Sequence, residues 1–281
     1  MSAVRILVTN DDGIESPGLL MLANALADLG SLVVLAPDSE RSGASASIGP
    51  MHLETPRLIR VPLPGIEEAW SLSGPPALCV LAAQSGLFGA RFDLVVSGIN
   101  AGLNPGPSVL HSGTVGAAFT AFESGAAAIA VSQAVSDGRA RGDAWATMLS
   151  AQRWESAAAI ARWTAEEVIS HGHDRVVVNV NVPNRDLADI EGGRAVRPRP
   201  GHYLSGSSAV RDLASDGSIT VNFVPRHDVS PHRSFDDQTA VDAGMVALTT
   251  YGWPTRGSDE ARRRDVAVAI SGKITRNLTS N

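Results

Sequence analysis

Three observations predict an α/β protein with a mainly parallel sheet and helices on both faces. Short apolar runs alternate with longer apolar-periodic stretches through the first half of the chain, the pattern of successive βαβ units. Runs such as Ile6–Val8, Leu32–Ala36 and Ala127–Val131 are apolar throughout, as strands covered on both faces must be. The polar and glycine residues collect in the loops that follow these runs, where turns are made.

Val4–Thr9 reads as the first strand, ending in Asn10-Asp11-Asp12-Gly13. Pro17 then opens a helix over Gly18–Leu29, since proline is tolerated in a first helical turn. Leu32–Ala36 is the second strand, and Pro37–Pro50 is a loop rich in Ser and Gly. Met51–Pro62 alternates partially, as exposed strands do, and Ala69–Ser73 is a further short strand. Ala77–Leu87 reads as an apolar helix. Phe92–Ser97 is a buried strand running into the long loop Gly98–Gly113. Thr114–Ser124 is a small-residue helix and Ala127–Ser132 a strand. Gln133–Ala144 is a polar connection, and Trp145–Ser170 reads as one long helix or two. In the run Arg175–Val182, alternation puts Asn179 and Asn181 on one face. From about Gly193 to Arg226 the signals turn hairpin-like, around Asp216-Gly217, and this block is expected to project from the sheet. Asp236–Tyr251 returns to helix then strand. Thr255–Asn281 is polar apart from Val266–Ile270 and reads as a terminal arm packing on a partner subunit or a loose tail. The implied division is a core over 1–190, a hairpin extension used in oligomerisation over 191–235, and a returning segment with the arm over 236–281.

Composition narrows the function. The 281 residues are 44% hydrophobic and 19% charged, as in a globular protein with a large core. A net charge of −6 argues against a nucleic-acid backbone as a stable partner. It leaves a small anionic substrate open, because a bound metal can supply local positive charge. The single cysteine, Cys79, sits in an apolar run and cannot build a disulfide framework. The first strand begins almost at the N-terminus, with no signal-peptide pattern. No apolar stretch reaches the roughly 18 residues of a membrane span. The expectation is a cytoplasmic protein with no membrane partner.

Three loops follow strands on one predicted sheet edge, where open α/β sheets bind ligands. The first carries Asp11 and Asp12, the second Asp38 through Ser45, and the third Ser97 through Gly106. Adjacent carboxylates repel unless something positive lies beside them. Carboxylate, hydroxyl and amide oxygens are hard donors, suited to Mg²⁺, Mn²⁺ or Ca²⁺ and poorly suited to Zn²⁺. The third loop leads to Ser112-Gly113-Thr114-Val115-Gly116 at a helix start, where free amides and the macrodipole favour a phosphate. Either hydroxyl there can also cap the helix. No Walker-type or dinucleotide-binding glycine motif is present. His111 stands beside this turn as a candidate acid or substrate contact. His202, His227 and His232 in the β-rich block are given no catalytic role, and Asp236-Asp237 is expected to cap a helix.

The ordered stretches Thr9-Asn10-Asp11-Asp12-Gly13-Ile14, Ala36-Pro37-Asp38 with Arg41-Ser42-Gly43, Ser97-Gly98-Ile99-Asn100-Ala101-Gly102, Ser112 through Ala118, Ile129-Ala130-Val131-Ser132 and Asn179-Val180-Asn181-Val182-Pro183-Asn184 resemble the SurE family of metal-dependent 5'/3'-nucleotidases. Asp237 through Val246 is similar to the family's late Asp-x-x-Ala-Val segment. The resemblance implies a Rossmann-like α/β core with a C-terminal β-hairpin extension exchanged between subunits of a homodimer or homotetramer. It implies that Asp11, Asp12, Ser42 and Asn100 hold one divalent ion per subunit, Mg²⁺ or Mn²⁺, with Ca²⁺ also compatible. Ser112, Gly113 and Thr114 match the family's phosphate-contacting turn, and with Asn10, Gly43 and His111 they are the expected contacts to a small phosphorylated substrate. Asp11 and Asp12 are the expected catalytic pair, with either as proton acceptor. The chain departs from the family at Pro107, Ser108 and His111, where acidic residues and a tyrosine are usual, near Thr120, and at Gly74 through Cys79. These changes bear on the substrate pocket. The expected activity is therefore nucleotidase, with a sugar-phosphate phosphatase or a non-catalytic nucleotide- or phosphate-binding protein as alternatives.

Overall fold

A computed structural model describes residues 3–136, 143–172, 176–201, 207–213, 216–225, 235–252 and 259–280. His202, His227 and His232 lie outside the described residues, as does 137–142 of the polar connection. The first half runs β1 (Arg5–Thr9), α1 (Pro17–Leu26), β2 (Ser31–Pro37), β3 (Leu58–Arg60), β4 (Ala69–Leu72), α2 (Pro76–Ala82), β5 (Leu94–Ala101), α3 (Gly113–Glu123) and β6 (Ala127–Gln133). The second half runs α4 (Asp143–Ser150), α5 (Trp154–Ser170), β7 (Val177–Val182), β8 (Gly193–Ala195), β9 (Ser207–Leu213), β10 (Ile219–Pro225), α6 (Asp237–Asp242), β11 (Val246–Tyr251) and α7 (Asp259–Thr279).

Nine strands form one sheet in the order β3-β4-β2-β1-β5-β6-β7-β11-β8. Strands β4, β2, β1, β5, β6 and β7 are parallel. β3 and β11 run antiparallel to β4 and β7 at either side. The chain leaves β1 toward β2 on one side and returns to β5 on the other, so the carboxyl end of β1 is the switch point where such sheets leave a crevice. Alternate side chains feed two cores. Ile6 and Val8 join the face covered by α1, α5 and α7. Leu7, Val33 and Leu35 join the face covered by α2 and α3.

Several elements differ from expectation. Between Met51 and Pro62 only Leu58–Arg60 is strand, because Pro50, Pro56 and Pro62 remove ladder donors. β5 continues to Ala101, and a 3₁₀ turn at Gly106–Leu110 interrupts the long loop. The stretch Trp145–Ser170, expected as one helix or two, is two, broken before Trp154. Gly193–Ala195 does not project: β8 pairs with β11 in the main sheet. The described part of the C-terminal segment, 259–280, is not a loose tail. Val266, Ile270 and Ile274 recur every fourth residue, so one stripe of α7 enters the first core. β9 and β10 form a separate antiparallel pair that exposes Val210, Leu213, Ile219 and Val221. No helix among the described residues is long and apolar enough to cross a membrane.

Candidate active site

β1 is buried until it meets the polar turn, and Asn10 shapes that turn. Its Nδ2 donates to the Gly13 carbonyl at 3.0 Å, and its Oδ1 accepts from the Gly13 amide at 3.2 Å. The side chain is completely buried, and both of its polar atoms are bonded to Gly13. The Arg41 amide donates to the Asp11 carbonyl at 2.7 Å, which ties the second loop to the first.

Asp11 is 2% exposed. Its Oδ1 accepts from Thr114 Oγ1 at 2.6 Å, which docks the start of α3 on the carboxylate. The approach is close: a Cβ on Gly113 would lie 2.7 Å from Asp11 Oδ2. Ser112 is the N-cap of α3, its Oγ accepting from the Val115 amide at 3.1 Å. Of the two hydroxyls, then, Ser112 caps the helix and Thr114 holds Asp11. Burial pushes the Asp11 carboxyl above its ordinary value; the Thr114 hydrogen bond offsets part of this and the Glu40 charge adds to it. Asp12 is pushed up further, by burial first and then by the charges of Asp11 and Glu40, against a hydrogen bond from the Ala101 backbone. Its Oδ2 is buried and has no hydrogen-bond partner among the described residues.

The loop 41–45 folds over the start of α3. Ser45 Oγ donates to the Leu110 carbonyl at 2.8 Å and the Ser45 amide to the His111 carbonyl at 3.2 Å. A Cβ on Gly116 would stand 2.1 Å from the Ser45 carbonyl oxygen, so glycine permits the contact. Ser42 and Gly43 lie at the exposed rim of this loop, with the Ser42 amide donating to Glu40 Oε1 at 2.7 Å. His111 is also exposed. Asn100, near the end of β5, donates from Nδ2 to the Gly102 carbonyl at 2.7 Å, which turns its Oδ1 the other way.

The third loop is held by groups that sequence reasoning missed. The Asn104 amide donates to Asn181 Oδ1 at 2.8 Å, its Nδ2 donates to Ser132 Oγ at 2.8 Å, and its carbonyl accepts from Asn179 Nδ2 at 2.9 Å. Two polar residues in the fully buried strand β7 were a signal that a partner existed; nothing pointed to Asn104. Further along, Asp237 Oδ2 accepts from the Gly106 amide at 2.7 Å and Oδ1 from the Arg199 amide at 2.8 Å. Asp236 alone is the cap of α6, as expected. Glu40, whose charge reaches both Asp11 and Asp12, also escaped notice.

The direct contacts thus join Asp11, Gly113 and Thr114, with Asp12 beside them and Arg41 tied to Asp11. Two desolvated carboxylates and one partnerless buried oxygen fit a hard cation. Among the described residues no group of three or more His, Cys, Asp or Glu side chains is placed to hold a metal. Two carboxylates would need hydroxyl or amide oxygens to complete a shell, and Ser42 and Asn100 are in the flanking loops.

The family described as survival protein SurE matches residues 6–204. The chain belongs to the SurE family. It is 41% identical over 194 residues to the 5'-nucleotidase SurE of Acinetobacter baylyi, covering 68% of this chain and 69% of that one. It is 40% identical over 207 residues to the 5'-nucleotidase SurE of Acinetobacter baumannii, covering 70% and 74%. The crystal structure of the SurE protein from Aquifex aeolicus superimposes with a TM-score of 0.72 at 27% identity, over 90% of this chain and 95% of that one. The α/β fold expected from the sequence is therefore the SurE fold, and all three loops lie within the matched residues.

Proposed function

We propose that this SurE family member is a divalent-metal-dependent phosphomonoester hydrolase that releases phosphate from nucleoside monophosphates. The observation that carries the reading is the carboxylate pair at the end of β1, desolvated, unneutralised at Asp12 Oδ2 and set against the N-terminus of α3. Its relatives are named 5'-nucleotidases, and nucleotidases of the family depend on a metal in general. Asp11, Asp12, Ser42 and Asn100 would hold the ion, with Mg²⁺ or Mn²⁺ the best fit to these oxygens. The chemistry such an ion supplies is Lewis acidity, which offsets phosphoryl charge and acidifies water.

The chain's own groups do the rest. The amides at the start of α3 receive phosphoryl oxygens, where the macrodipole favours the growing charge. Ser112 Oγ accepts from Val115 and keeps its own proton to donate. Thr114 donates its hydroxyl hydrogen bond to Asp11 and acts by holding that carboxylate. Asp12 is the better placed proton acceptor of the pair, since Asp11 Oδ1 is already bonded to the Thr114 hydroxyl. His111 and Gly43 stand at the rim for contacts beyond the phosphate.

The same reading covers assembly. The β9–β10 pair is too small to be stable alone, and its exposed apolar residues support exchange between subunits of a cytoplasmic homodimer or homotetramer built on the 1–190 core. Light scattering after gel filtration should give a multiple of the 29.2 kDa chain mass. The activity is tested by phosphate release from nucleoside monophosphates and sugar phosphates with Mn²⁺, Mg²⁺ or chelator. Release should require metal and favour nucleotides. Asp12→Asn should abolish it, and full metal-dependent activity in that variant would refute the site.

A further inference from the structure

The phosphatase reading leaves the organic half of the substrate unplaced, and two cavities flank the sheet edge in question. One, of about 330 Å³, opens off the carboxyl ends of the parallel strands β2 and β4. The other, of about 460 Å³, lies off β6 and β7. β2 is hydrogen-bonded to β1, the strand that delivers Asp11 and Asp12, whereas β5 separates β6 from β1.

We propose that the cavity off β2 and β4 receives the nucleobase and ribose of the leaving group, and that Met51 is a specificity-determining residue there. The reaction at the other end of the substrate rests on the phosphatase reading; the cavity and its lining do not. Continuity is the first argument. Arg41 lines the cavity, and its amide is bonded to the Asp11 carbonyl at 2.7 Å. Ala44 lines it as well, and the next residue, Ser45, is bonded to the Leu110 and His111 carbonyls just before α3. One loop therefore walls both the cavity and the carboxylate site, and a substrate with its phosphate at α3 can extend past Arg41 into the cavity.

The lining supplies the second argument. Ile48, Met51, Pro75 and Leu78 give apolar walls, which suit the flat faces of a base. Glu54, Thr55 and Ser73 give a few polar groups for its edge. Ser73 Oγ accepts from the Arg57 amide at 2.7 Å and so retains a proton to donate. A hexose carries a hydroxyl on nearly every carbon, and those facing Ile48, Met51 and Pro75 would lose water without gaining a partner. Met51 is 46% exposed, so it can be changed without opening the core. Its flexible thioether also adapts to rings of different shape.

The test compares hydrolysis of AMP and of glycerol 3-phosphate, whose alcohol is too small to fill the cavity, by wild type, Met51→Asp and Met51→Leu. Met51→Asp should raise KM for AMP about 10-fold, or ~1.4 kcal/mol, with kcat little changed. Both constants for glycerol 3-phosphate should stay near wild type, and Met51→Leu should restore the AMP values. Equilibrium dialysis with adenosine reads the cavity without any chemistry, and Met51→Asp should weaken that binding by a similar factor. An unmoved KM for AMP, an equal loss on both substrates, or no adenosine binding at millimolar concentration overturns the proposal. If no phosphomonoester is hydrolysed while adenosine binds in a Met51-dependent way, the phosphatase reading falls and the cavity assignment stands.

Discussion

Two pairs of adjacent aspartates sit in this chain, and the fold treats them in opposite ways. Asp11 and Asp12 end a buried strand; Asp236 and Asp237 begin a helix. All but Asp12 are almost fully buried. At the second pair donors arrive from every side. Asp236 accepts from the Thr239 amide at 3.0 Å and from Arg199 Nε at 3.3 Å, and Asp237 accepts from the Gly106, Arg199 and Gln238 amides. At the first pair Asp11 has the Thr114 hydroxyl, while Asp12 keeps a buried oxygen with no partner. A carboxylate pair with its lone pairs filled is a fastener. One left short of donors in a crevice waits for something positive. What separates binding site from clasp is the supply of donors, which dipeptide identity does not encode.

The largest effects should come from substitutions that treat the pairs alike. Asp12→Asn is expected to lower metal-dependent phosphate release by about 10³-fold or more. The same change removes like charge, so the melting temperature of the chelator-treated protein should rise, by about 2–4 °C per kcal/mol regained. Calorimetry beside the activity assay checks both. Asp237→Ala should behave the other way. It strands the Gly106 and Arg199 amides in a buried setting, a loss of about 1–3 kcal/mol in chemical denaturation. Activity should fall only as far as the loosened third loop displaces Asn100 and Ser112. A destabilised Asp12→Asn together with an unaffected Asp237→Ala would erase the distinction.

Much of this was legible before the structure, for physical reasons. The βαβ alternation follows from burial on both sheet faces, and it located the strand ends and hence the three loops. The helix stripe of Val266, Ile270 and Ile274 was present too, but it is diluted by the charged residues around it, and α7 was read as an arm. The three loops were legible as motifs and as a shared edge. The division of labour between Ser112 and Thr114 was not, because both are good caps and only the closeness of Gly113 to Asp11 settles which hydroxyl is diverted. The holding roles of Asn104 and Asp237 were not legible, because their partners lie 77 and 131 residues away.

A smaller effect should follow from Thr114→Val, which keeps shape and removes the one side-chain donor to Asp11 among the described residues. The buried carboxylate then loses a charge-assisted hydrogen bond, a change of about 1.5–3 kcal/mol in stability. Its own chemistry is intact, so phosphate release should fall by roughly one order of magnitude, well short of the Asp12→Asn loss. Equal losses in the two variants would make Thr114 a direct substrate contact instead of a holder of Asp11.

The smallest effect separates charge from capping at the second pair. Burial pushes Asp236 up, but the Thr239 amide and the Arg199 guanidinium outweigh it and hold the carboxyl below its ordinary 3.8. A carboxyl depressed in the folded state stabilises the protein above its unfolded value and loses that stabilisation as pH falls through the folded one. Asp236→Asn keeps an oxygen for the Thr239 amide, since asparagine is a good N-cap, and removes only the attraction to Arg199. That side chain is 28% exposed, so solvent screens the pair to below about 1 kcal/mol. Loss of the Asp236 charge also relieves Asp237, whose carboxyl is pushed up by burial first and then by its neighbour, and this trims the difference further. Wild type should therefore be slightly the more stable near neutrality, with the gap closing below about pH 4. Urea titrations of both proteins across that range measure it, and a gap that persists at low pH would mean that the cap geometry, not the charge, was lost.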